Sequence, residues 1–415
     1  MRALVAAVVA IALTAAAPAR AQTDPYVRAA SPNPAVRSLA AADLAIDPQQ
    51  RAVDMLIVLL QRDVDWTVRL SAARAIERRR DPALGDALKL ASRFDPSPDV
   101  RRGAAEAYEH LWPFSKSPKG AAGYSLLCPG CGHFYLRQNG TGAAYLLTTA
   151  ALLGSGLALI SQSDDVSALG GASDTAKVPI GLQLVMAGQN LWFYAIFDAY
   201  RDARVLRGDE GYEHPITRET LGTLASAPFR PSVLKSPWVW AGVPAALAAG
   251  IAVSYAVAPD ELTGDDRPSI FEVDEVNFLG KGYSPGAGFA LGELYFGGLF
   301  VPVGVGEEAL FRGVLQAELT ERFGPWGGLA IASTIFGAVH TFNFTQKGSD
   351  IEDAAVAVPF ITIVGSSLGL AYMNTGYRLE TSVAMHFWYD FLLSTAAFAA
   401  DPEHQPFVVR YGMTL

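Results

Sequence analysis

Long apolar stretches constrain the fold of this chain more than any other feature, because a helix that crosses a bilayer needs about 20 mostly apolar residues. From about residue 140 onward such stretches dominate, and Gly, Ser or single polar residues interrupt several of them, as in packed membrane bundles. The pattern predicts an all-α fold, a polytopic transmembrane helix bundle. The candidate spans are 143–160, 179–197, 238–257, 286–305, 326–342, 354–373 and 381–399.

The region before these spans has a different composition. Overall, 51% of the 415 residues are hydrophobic and 18% are charged, but residues 24–119 are rich in Arg, Asp and Glu. This shift places the main domain boundary near 115–140. The net charge of −9 and the lack of a basic stripe with interleaved aromatic residues argue against a nucleic-acid partner.

Residues 1–21 have the layout of a secretory signal peptide. Arg2 precedes an almost wholly apolar run, and Ala19-Arg20-Ala21 fits a small-x-small cleavage site. The alternative is an uncleaved N-terminal anchor. Either interpretation directs the chain to a membrane.

A Val-Arg pair recurs every 32 residues (68 − 36 and 100 − 68) in the polar region, at Val36-Arg37, Val68-Arg69 and Val100-Arg101. Two Ala residues follow each pair at the same spacing, so the same helical face returns in every unit. The stretches 53–60 and 83–90 supply second helices. The pattern resembles HEAT repeats, helix pairs that stack into a solenoid. The resemblance implies a small helical-repeat domain that binds a protein; the alternative is a helical domain without a partner.

The segment 115–142 lies between the repeats and the first span. Pro129 and Gly130 interrupt it, so we interpret it as a turn or an interfacial segment. It holds the two cysteines of the chain, Cys128 and Cys131. They are interpreted as a redox pair, as half of a metal site, or as two small apolar residues in a turn.

Two signals in the sequence disagree about membrane topology. The segment 198–236 carries several Arg and Lys residues, so the positive-inside rule puts it, and with it the repeat domain two spans earlier, in the cytoplasm. A cleaved signal peptide predicts the opposite side, and long translocated domains follow charge rules poorly. We therefore expect a multi-pass protein of the cell (inner) membrane whose N-terminal domain is periplasmic or otherwise extracytoplasmic.

Ionisable residues inside apolar spans are costly, and by default they mark function. On a helix, Glu308 and Arg312 are four residues apart and can pair, whereas Glu307 points about 100° away. Glu308 and His340 each lie 16 residues from a predicted turn at Gly324 (324 − 308 and 340 − 324), about 24 Å along a helix. We therefore expect Glu308 and His340 to face each other across an antiparallel helix pair.

The last candidate span adds His386 and Asp390, which share a helix face at four-residue spacing. A Glu beside a His can act as a general base on water, and a second His held by an Asp can stabilise an oxyanion. Glu307, His340 and His386 also form a ligand set suited to one divalent metal such as zinc. The alternative to catalysis is a buried structural ion-pair network.

These motifs, E-E-x-x-x-R, then F-x-x-x-H, then H-x-x-x-N/D, resemble those of the CPBP intramembrane proteases, which include the CAAX prenyl endopeptidase and abortive-infection-type bacterial proteins. The resemblance covers about 286–399, and the family is classed as metalloprotease. It implies that Glu307 and His340 activate water. Family members often have Asn in the last position, where this chain has Asp390. The implied catalytic residues are Glu307, Glu308, Arg312, His340, His386 and Asp390.

We therefore expect an intramembrane endopeptidase that cleaves a peptide bond of a membrane-associated protein or peptide. The alternative is a non-catalytic membrane scaffold or immunity protein that binds partners through the repeat domain. Two further acidic residues, Asp198 and Glu293, are interpreted as interhelical hydrogen-bonding or interface positions outside the site. The expected divisions are a signal peptide (1–21), a HEAT-like domain (28–114), an interfacial segment (115–142), transmembrane helices with a polar loop (143–236), a CPBP-like domain (237–400) and a C-terminal tail (401–415).

Overall fold

The structure of the chain is a computed structural model that describes residues 24–162, 177–208, 214, 219–257, 268–279, 281–341 and 351–402. The segment interpreted as a signal peptide, 1–21, lies outside these residues, as does the C-terminal tail beyond 402. The chain divides into two compact units between Ser117 and Pro118. Both units are helical, which confirms the predicted all-α class.

In its described part, residues 24–117, the first unit is built from six short α-helices. Proline at the first helical turn and a polar N-cap start several of them; for example, the Asn33 side chain accepts a hydrogen bond from the Ala35 amide. The Asp65 side chain caps the Thr67 amide in the same way one repeat later. The helices are α1 (Pro25–Ala29), α2 (Pro34–Leu44), α3 (Gln50–Arg62), α4 (Trp66–Arg79), α5 (Gly85–Phe94) and α6 (Pro98–Leu111).

The predicted recurrent face forms the core of this unit. The paired Ala residues of the first two repeats are fully buried, whereas in the third repeat Ala104 is buried and Ala105 is exposed. The second helices are α3 and α5, and α5 begins two residues later than predicted because Ala83 and Leu84 lie in a 3₁₀ turn. Other fully buried members of the core are Leu44, Leu56, Val68, Ile76, Leu88 and Val100.

The arginines of the 32-residue period form a ladder of ion pairs, of which Arg37–Asp63 is partly buried and Arg69–Asp95 is buried. Arg37 binds Asp63 through Nε and Nη2, and Arg69 binds Asp95 in the same way at 2.8 and 2.9 Å. Each of these arginines also donates through Nη1 to two backbone carbonyls of the preceding loop. Arg101 repeats the carbonyl contacts at 2.7 and 3.1 Å, and position 127, where the next aspartate would fall, is Leu127.

The second unit contains the apolar helices. They are α7 (Pro118–Leu127), α8 (Cys131–Tyr135), α9 (Asn139–Ser161), α10 (Lys177–Leu206), α11 (Leu221–Ala225), α12 (Pro231–Leu234), α13 (Pro237–Val257), α14 (Pro285–Glu308), α15 (Ala317–Val339), α16 (Ile351–Asn374) and α17 (Leu379–Ala400), with a π-helix at Ala309–Gln316 between α14 and α15. Among the described residues, four helical stretches are long and apolar enough to cross a membrane: Asn139–Ser161, Lys177–Leu206, Pro285–Val339 and Ala357–Asn374. The protein is therefore a multi-pass membrane protein.

These stretches account for five of the seven predicted spans. The 55-residue stretch Pro285–Val339 holds both 286–305 and 326–342, and Gly324, at φ 76° and ψ 171°, breaks it where the turn was predicted. The prediction at 238–257 corresponds to the shorter apolar helix Pro237–Ala252. The prediction at 381–399 corresponds to α17, whose His386 and Asp390 lower its hydropathy.

Two details differ from the sequence-based expectation. Residues 118–127 of the expected interfacial segment form a regular helix, α7, and the Pro129-Gly130 turn separates it from the short α8. A two-stranded antiparallel hairpin, β1 (Val276–Phe278) and β2 (Lys281–Tyr283), lies between the predicted spans 238–257 and 286–305, where no regular structure was predicted. Val276 is buried under α14, where Gly288 leaves room for it, so one apolar contact stabilises the hairpin against the bundle.

Candidate active site

The two adjacent glutamates lie at the C-terminal end of α14 and are both buried. Directly after them the chain adopts the π-helix, which carries Arg312. Such π-helical turns inside α-helices are rare and frequently occur at functional sites. The local backbone therefore marks the same residues that the sequence motif marks.

Glu308 is the anion of a buried ion pair. Its Oε1 accepts a hydrogen bond from Arg312 Nη1 at 2.8 Å, as the four-residue spacing predicted. Arg312 Nη2 donates to the Gly365 carbonyl at 2.8 Å, and the guanidinium lies 4.3 Å from the ring centroid of Phe336. The side chain of Arg312 is thus fixed by a carboxylate, a carbonyl and an aromatic face.

His386 is the second donor to Glu308. Its Nδ1 lies 2.9 Å from Glu308 Oε1 in a fully buried contact. Because a carboxylate can only accept, Nδ1 carries the hydrogen, and in the neutral ring the Nε2 lone pair points away from Glu308. Glu308 and Arg312 therefore hold the orientation of His386.

His340 is oriented in the same way by the backbone. Its Nδ1 lies 2.6 Å from the Phe336 carbonyl, so this nitrogen is also the donor. The opposite atom, Nε2, lies 3.9 Å from Glu307 Oε2. The sequence had placed His340 opposite Glu308; in the described part of the chain its ring instead lies beside Glu307, one residue earlier in α14.

Hydrogen-bond acceptors converge on Glu307. Its Oε2 lies 3.9 Å from Nε2 of His340 and 3.9 Å from Nε2 of His386. Glu307 Oε2 and His386 Nε2 are both buried without a hydrogen-bond partner in the structure. Asp390 Oδ2 lies 3.4 Å from the same His386 nitrogen. Since buried acceptors are normally satisfied, this arrangement suits a group that supplies positive hydrogens or positive charge.

Glycines allow the helices to approach closely around the site. A Cβ on Gly306 would lie 2.5 Å from both the carbonyl and the side-chain oxygen of Asn190 in α10. A Cβ on Gly365 would lie 2.8 Å from Phe336 and 3.3 Å from Arg312 Nη2. The contact of α10 with α14 was not predicted, because no periodicity in the sequence signals which distant helices pack together.

A second polar cluster lies at the far end of α10. Asp198 Oδ2 accepts hydrogen bonds from His133 Nε2 at 3.1 Å and from the Tyr145 hydroxyl at 2.9 Å. Arg201 contacts carboxylate oxygens of both Asp198 and Asp202. Donor atoms of His133, Asp198 and Asp202 lie within 4.8 Å of one another, so this group could hold a metal. The arginine already neutralises part of its charge.

The two acidic residues assigned to interhelical contacts take that role. Asp198 joins α10 to α8 and α9 through the bonds just described. Glu293 in α14 accepts the Thr395 hydroxyl of α17 at 2.9–3.0 Å. Within the described part of the chain, the ion-pair contacts of Glu307 are with His340 and His386 and involve neither of these two acids.

Comparison with known families agrees with both halves of this description. The family model for Type II CAAX prenyl endopeptidase Rce1-like proteins matches residues 290–392, which include every predicted site residue. A model for HEAT repeats matches residues 23–109. The chain joins a HEAT-repeat domain to an Rce1-like domain. No curated protein and no solved structure matches it.

The Rce1-like match runs from α14 through α17 and excludes α10. The helices that carry the glutamates, Arg312 and both histidines therefore belong to the matched domain. Asn190, which packs on Gly306, comes from outside it. The HEAT-repeat match, in turn, covers the Arg–Asp ladder and the helices that bear it.

Proposed function

We propose that this protein is an intramembrane endopeptidase that hydrolyses a peptide bond of a membrane-associated protein or peptide. The observation that carries the proposal is the convergence of Glu307 Oε2 with Nε2 of His340 and Nε2 of His386, each 3.9 Å from the carboxylate oxygen. A water molecule among these three acceptors can donate its hydrogens to two of them and direct its oxygen lone pair at a carbonyl carbon.

In the proposed reaction Glu307 is the general base. It takes a proton from the water as the water oxygen attacks the scissile carbonyl, and His340 shares in the activation. His386 carries the next step: its Nε2 receives the proton that Glu307 took from the water, stabilises the developing oxyanion and passes the proton to the leaving amine as the carbon–nitrogen bond breaks. Asp390, 3.4 Å away, stabilises the imidazolium form of His386.

Glu308 and Arg312 act through His386 and do not touch the substrate in this scheme. Glu308 accepts the Nδ1 hydrogen and fixes the ring orientation, and Arg312 neutralises the buried carboxylate. Such oriented partners behind a reacting histidine contribute about 10–100-fold in other sites. The pair therefore gives the site its geometry, whereas Glu307 gives it reactivity.

The same acceptors fit a divalent metal such as zinc. Two neutral imidazoles that donate through Nδ1 and present Nε2, together with a carboxylate, are the donor set that zinc prefers. Glu307, His340 and His386 would hold the ion. When bound, it would polarise the substrate carbonyl or lower the pKa of water as a Lewis acid.

The proposal also includes where the substrate, the partner and the repeat domain lie relative to the membrane. The substrate reaches Glu307 within the bilayer, and the HEAT repeats bind a protein partner or substrate outside it. The protein resides in the cell (inner) membrane with its N-terminal repeat domain on the extracytoplasmic side. The side of the membrane on which the repeat domain lies is tested by adding a protease to intact and to opened cells. Cleavage of residues 31–112 only in opened cells would contradict the extracytoplasmic placement.

The decisive experiment compares Glu307→Gln with Glu293→Gln in the purified full chain in detergent. Both residues are acids of α14, but Glu293 contacts Thr395 and lies outside the acceptor cluster. A peptide mixture is incubated with each variant, and cleavage products are identified by mass spectrometry. We expect Glu307→Gln to lose about 10²–10⁴-fold in rate, which is the range for a general base, and Glu293→Gln to retain activity. Equal cleavage by Glu307→Gln and the parent would refute the proposal.

The HEAT-repeat match favours one alternative, a membrane scaffold that acts by binding a partner. The two proposals give opposite results in cells. If Glu307→Gln preserved the cellular phenotype while deletion of 31–112 abolished it, the scaffold would be the function.

A further inference from the structure

Cys128 and Cys131 form a disulfide at the start of the membrane unit, and the proposed peptidase mechanism does not use it. Two residues, Pro129 and Gly130, separate the cysteines along the chain. The bond closes the turn between α7 and α8. We propose that this pair is a reversible thiol–disulfide exchange site that takes a thiol or dithiol reductant.

The bond contributes little as a structural crosslink. The chain entropy that a disulfide removes from the unfolded state grows with the logarithm of the loop that it closes, and this loop is among the shortest that can form. Backbone interactions already hold the turn: the Cys131 amide donates to the Cys128 carbonyl at 3.1 Å, and Gly130 supplies the required positive φ of 90°. The turn therefore has the same backbone support with or without the sulfur–sulfur bond.

The segment behind the turn is anchored independently of the sulfurs. The Gly132 amide donates to the Ser125 hydroxyl at 3.1 Å, and the fully buried His133 ring binds Asp198 of α10 at 3.1 Å. The Trp192 indole donates to the Ser125 carbonyl at 2.6 Å. Because α7 and α8 are both fixed to α10 by these contacts, opening the disulfide leaves them in place, which is a condition for reversible exchange.

The turn that carries the sulfurs is not sealed in the core, and it precedes the first candidate span along the chain. Both cysteines are half-buried, and α9, the first candidate span, begins only at Asn139. A half-buried cysteine outside a span can form a thiolate, which is the species that attacks or leaves in exchange. A buried structural bridge inside a span would lack both properties.

The reaction balances as a two-electron exchange. A thiolate of the reductant attacks one sulfur of the pair, the Cys128–Cys131 bond breaks, and the other cysteine leaves as a thiolate that takes a proton from water. A second reductant thiol then attacks the mixed disulfide and releases the first cysteine as a thiol. The pair gains two electrons and two protons, and the reductant becomes a disulfide.

In the test, the full chain in detergent is equilibrated with a series of glutathione buffers. The ratio of reduced to oxidised glutathione is varied across the series. Reaction is stopped with acid, and free thiols are counted by the mass shift of a maleimide label. We expect two labels to appear together, along a two-electron curve in which about 30 mV changes the equilibrium tenfold, and to disappear when oxidised glutathione is restored. Circular dichroism should stay unchanged throughout. If the native chain takes no label at any ratio and labels only after unfolding, the pair is a structural bridge and the proposal is wrong.

Two serine variants test whether each sulfur can form a mixed disulfide with glutathione. Cys131→Ser should capture glutathione at Cys128 as a stable mixed disulfide, because the resolving sulfur is gone; Cys128→Ser tests the other sulfur. Failure of both variants to form a mixed disulfide while folded would overturn the proposal. If a variant does not fold, the titration of the unaltered chain still decides, since it requires no substitution.

Discussion

The adjacent glutamates of the candidate site should respond in opposite ways to the same substitution. Glu308 is fully buried and is the one acceptor shared by Arg312 Nη1 and His386 Nδ1. A glutamine at 308 keeps the shape but removes the charge, so the buried guanidinium of Arg312 loses its compensating anion. Glu307 has no cationic side chain in hydrogen-bond contact, and its Oε2 is a buried acceptor without a partner.

The magnitude follows from these contacts. Removing one partner of a buried ion pair typically costs about 3–5 kcal/mol, because the remaining charge stays buried and uncompensated. At about 2–4 °C per kcal/mol for a unit of this size, Glu308→Gln should lower the melting temperature by roughly 6–20 °C. Glu307→Gln should leave the melting temperature unchanged or raise it, since it neutralises an unpaired buried carboxylate.

Thermal unfolding in one detergent, followed by loss of helical circular dichroism, measures both variants against the parent chain. Peptide cleavage is measured on the same samples below the melting temperature of the weaker variant. We expect Glu307→Gln to be stable and inactive, and Glu308→Gln to be unstable with activity reduced about 10–100-fold through misorientation of His386. Equal melting temperatures for the two variants would show that Glu308 is not the structural anion, and the division of roles would be wrong.

Three further predictions concern packing beside the candidate site and charge in the repeats. Gly306→Ala places a methyl group 2.5 Å from the backbone of α10 and should abolish accumulation of folded protein, whereas Gly297→Ala in the same helix meets nothing within 4 Å and should be tolerated, as judged by gel filtration in detergent. Burial alone would raise the pKa of Asp95, but hydrogen bonds from Arg69 and from a backbone amide outweigh it and lower the pKa. The stability from Asp95 is therefore present above its unfolded pKa of about 3.9 and is lost as pH falls through the lower folded value, so limited proteolysis of the repeats should accelerate below about pH 4. Arg69→Met should destabilise the repeats more than Arg101→Met, because of these two arginines Arg69 binds a carboxylate as well as backbone carbonyls. Equal protease sensitivity of the two variants would show that the Arg69–Asp95 ion pair does not stabilise the repeats.

Local spacing predicted much of the candidate site. The four-residue interval gave the Glu308–Arg312 pair, and the glycine at 324 gave the turn that returns the chain towards His340. Both are short-range consequences of helix geometry, so they can be predicted from residue positions alone. The predicted partner of His340 was Glu308, whereas the structure places it beside Glu307. Counting residues from the turn gives the height of a side chain along a straight helix but not the direction in which it points.

The interactions that could not be predicted from the sequence join residues that are far apart in the chain. His133 and Asp198 are 65 residues apart, and Asn190 packs on Gly306 across more than a hundred positions. Their partners depend on which helices become neighbours, and an apolar span carries no local signal of its neighbour. The hairpin at Val276–Tyr283 was missed for a related reason, since strands of three residues are too short to show a period of two.

The charges of the site explain why its acceptors need an occupant. Glu307, Glu308 and Asp390 contribute −3 when ionised and Arg312 contributes +1, so the buried cluster carries a formal −2 with neutral histidines. An uncompensated charge of that size inside a bilayer is strongly unfavourable. Two protons or one divalent cation restore neutrality equally well, and both belong on the face where Glu307 meets the histidines, since Glu308 is already paired. In the proposed reaction these are the positions between which protons move during hydrolysis, so the electrostatic demand of burial is linked to the proposed general-base chemistry of Glu307.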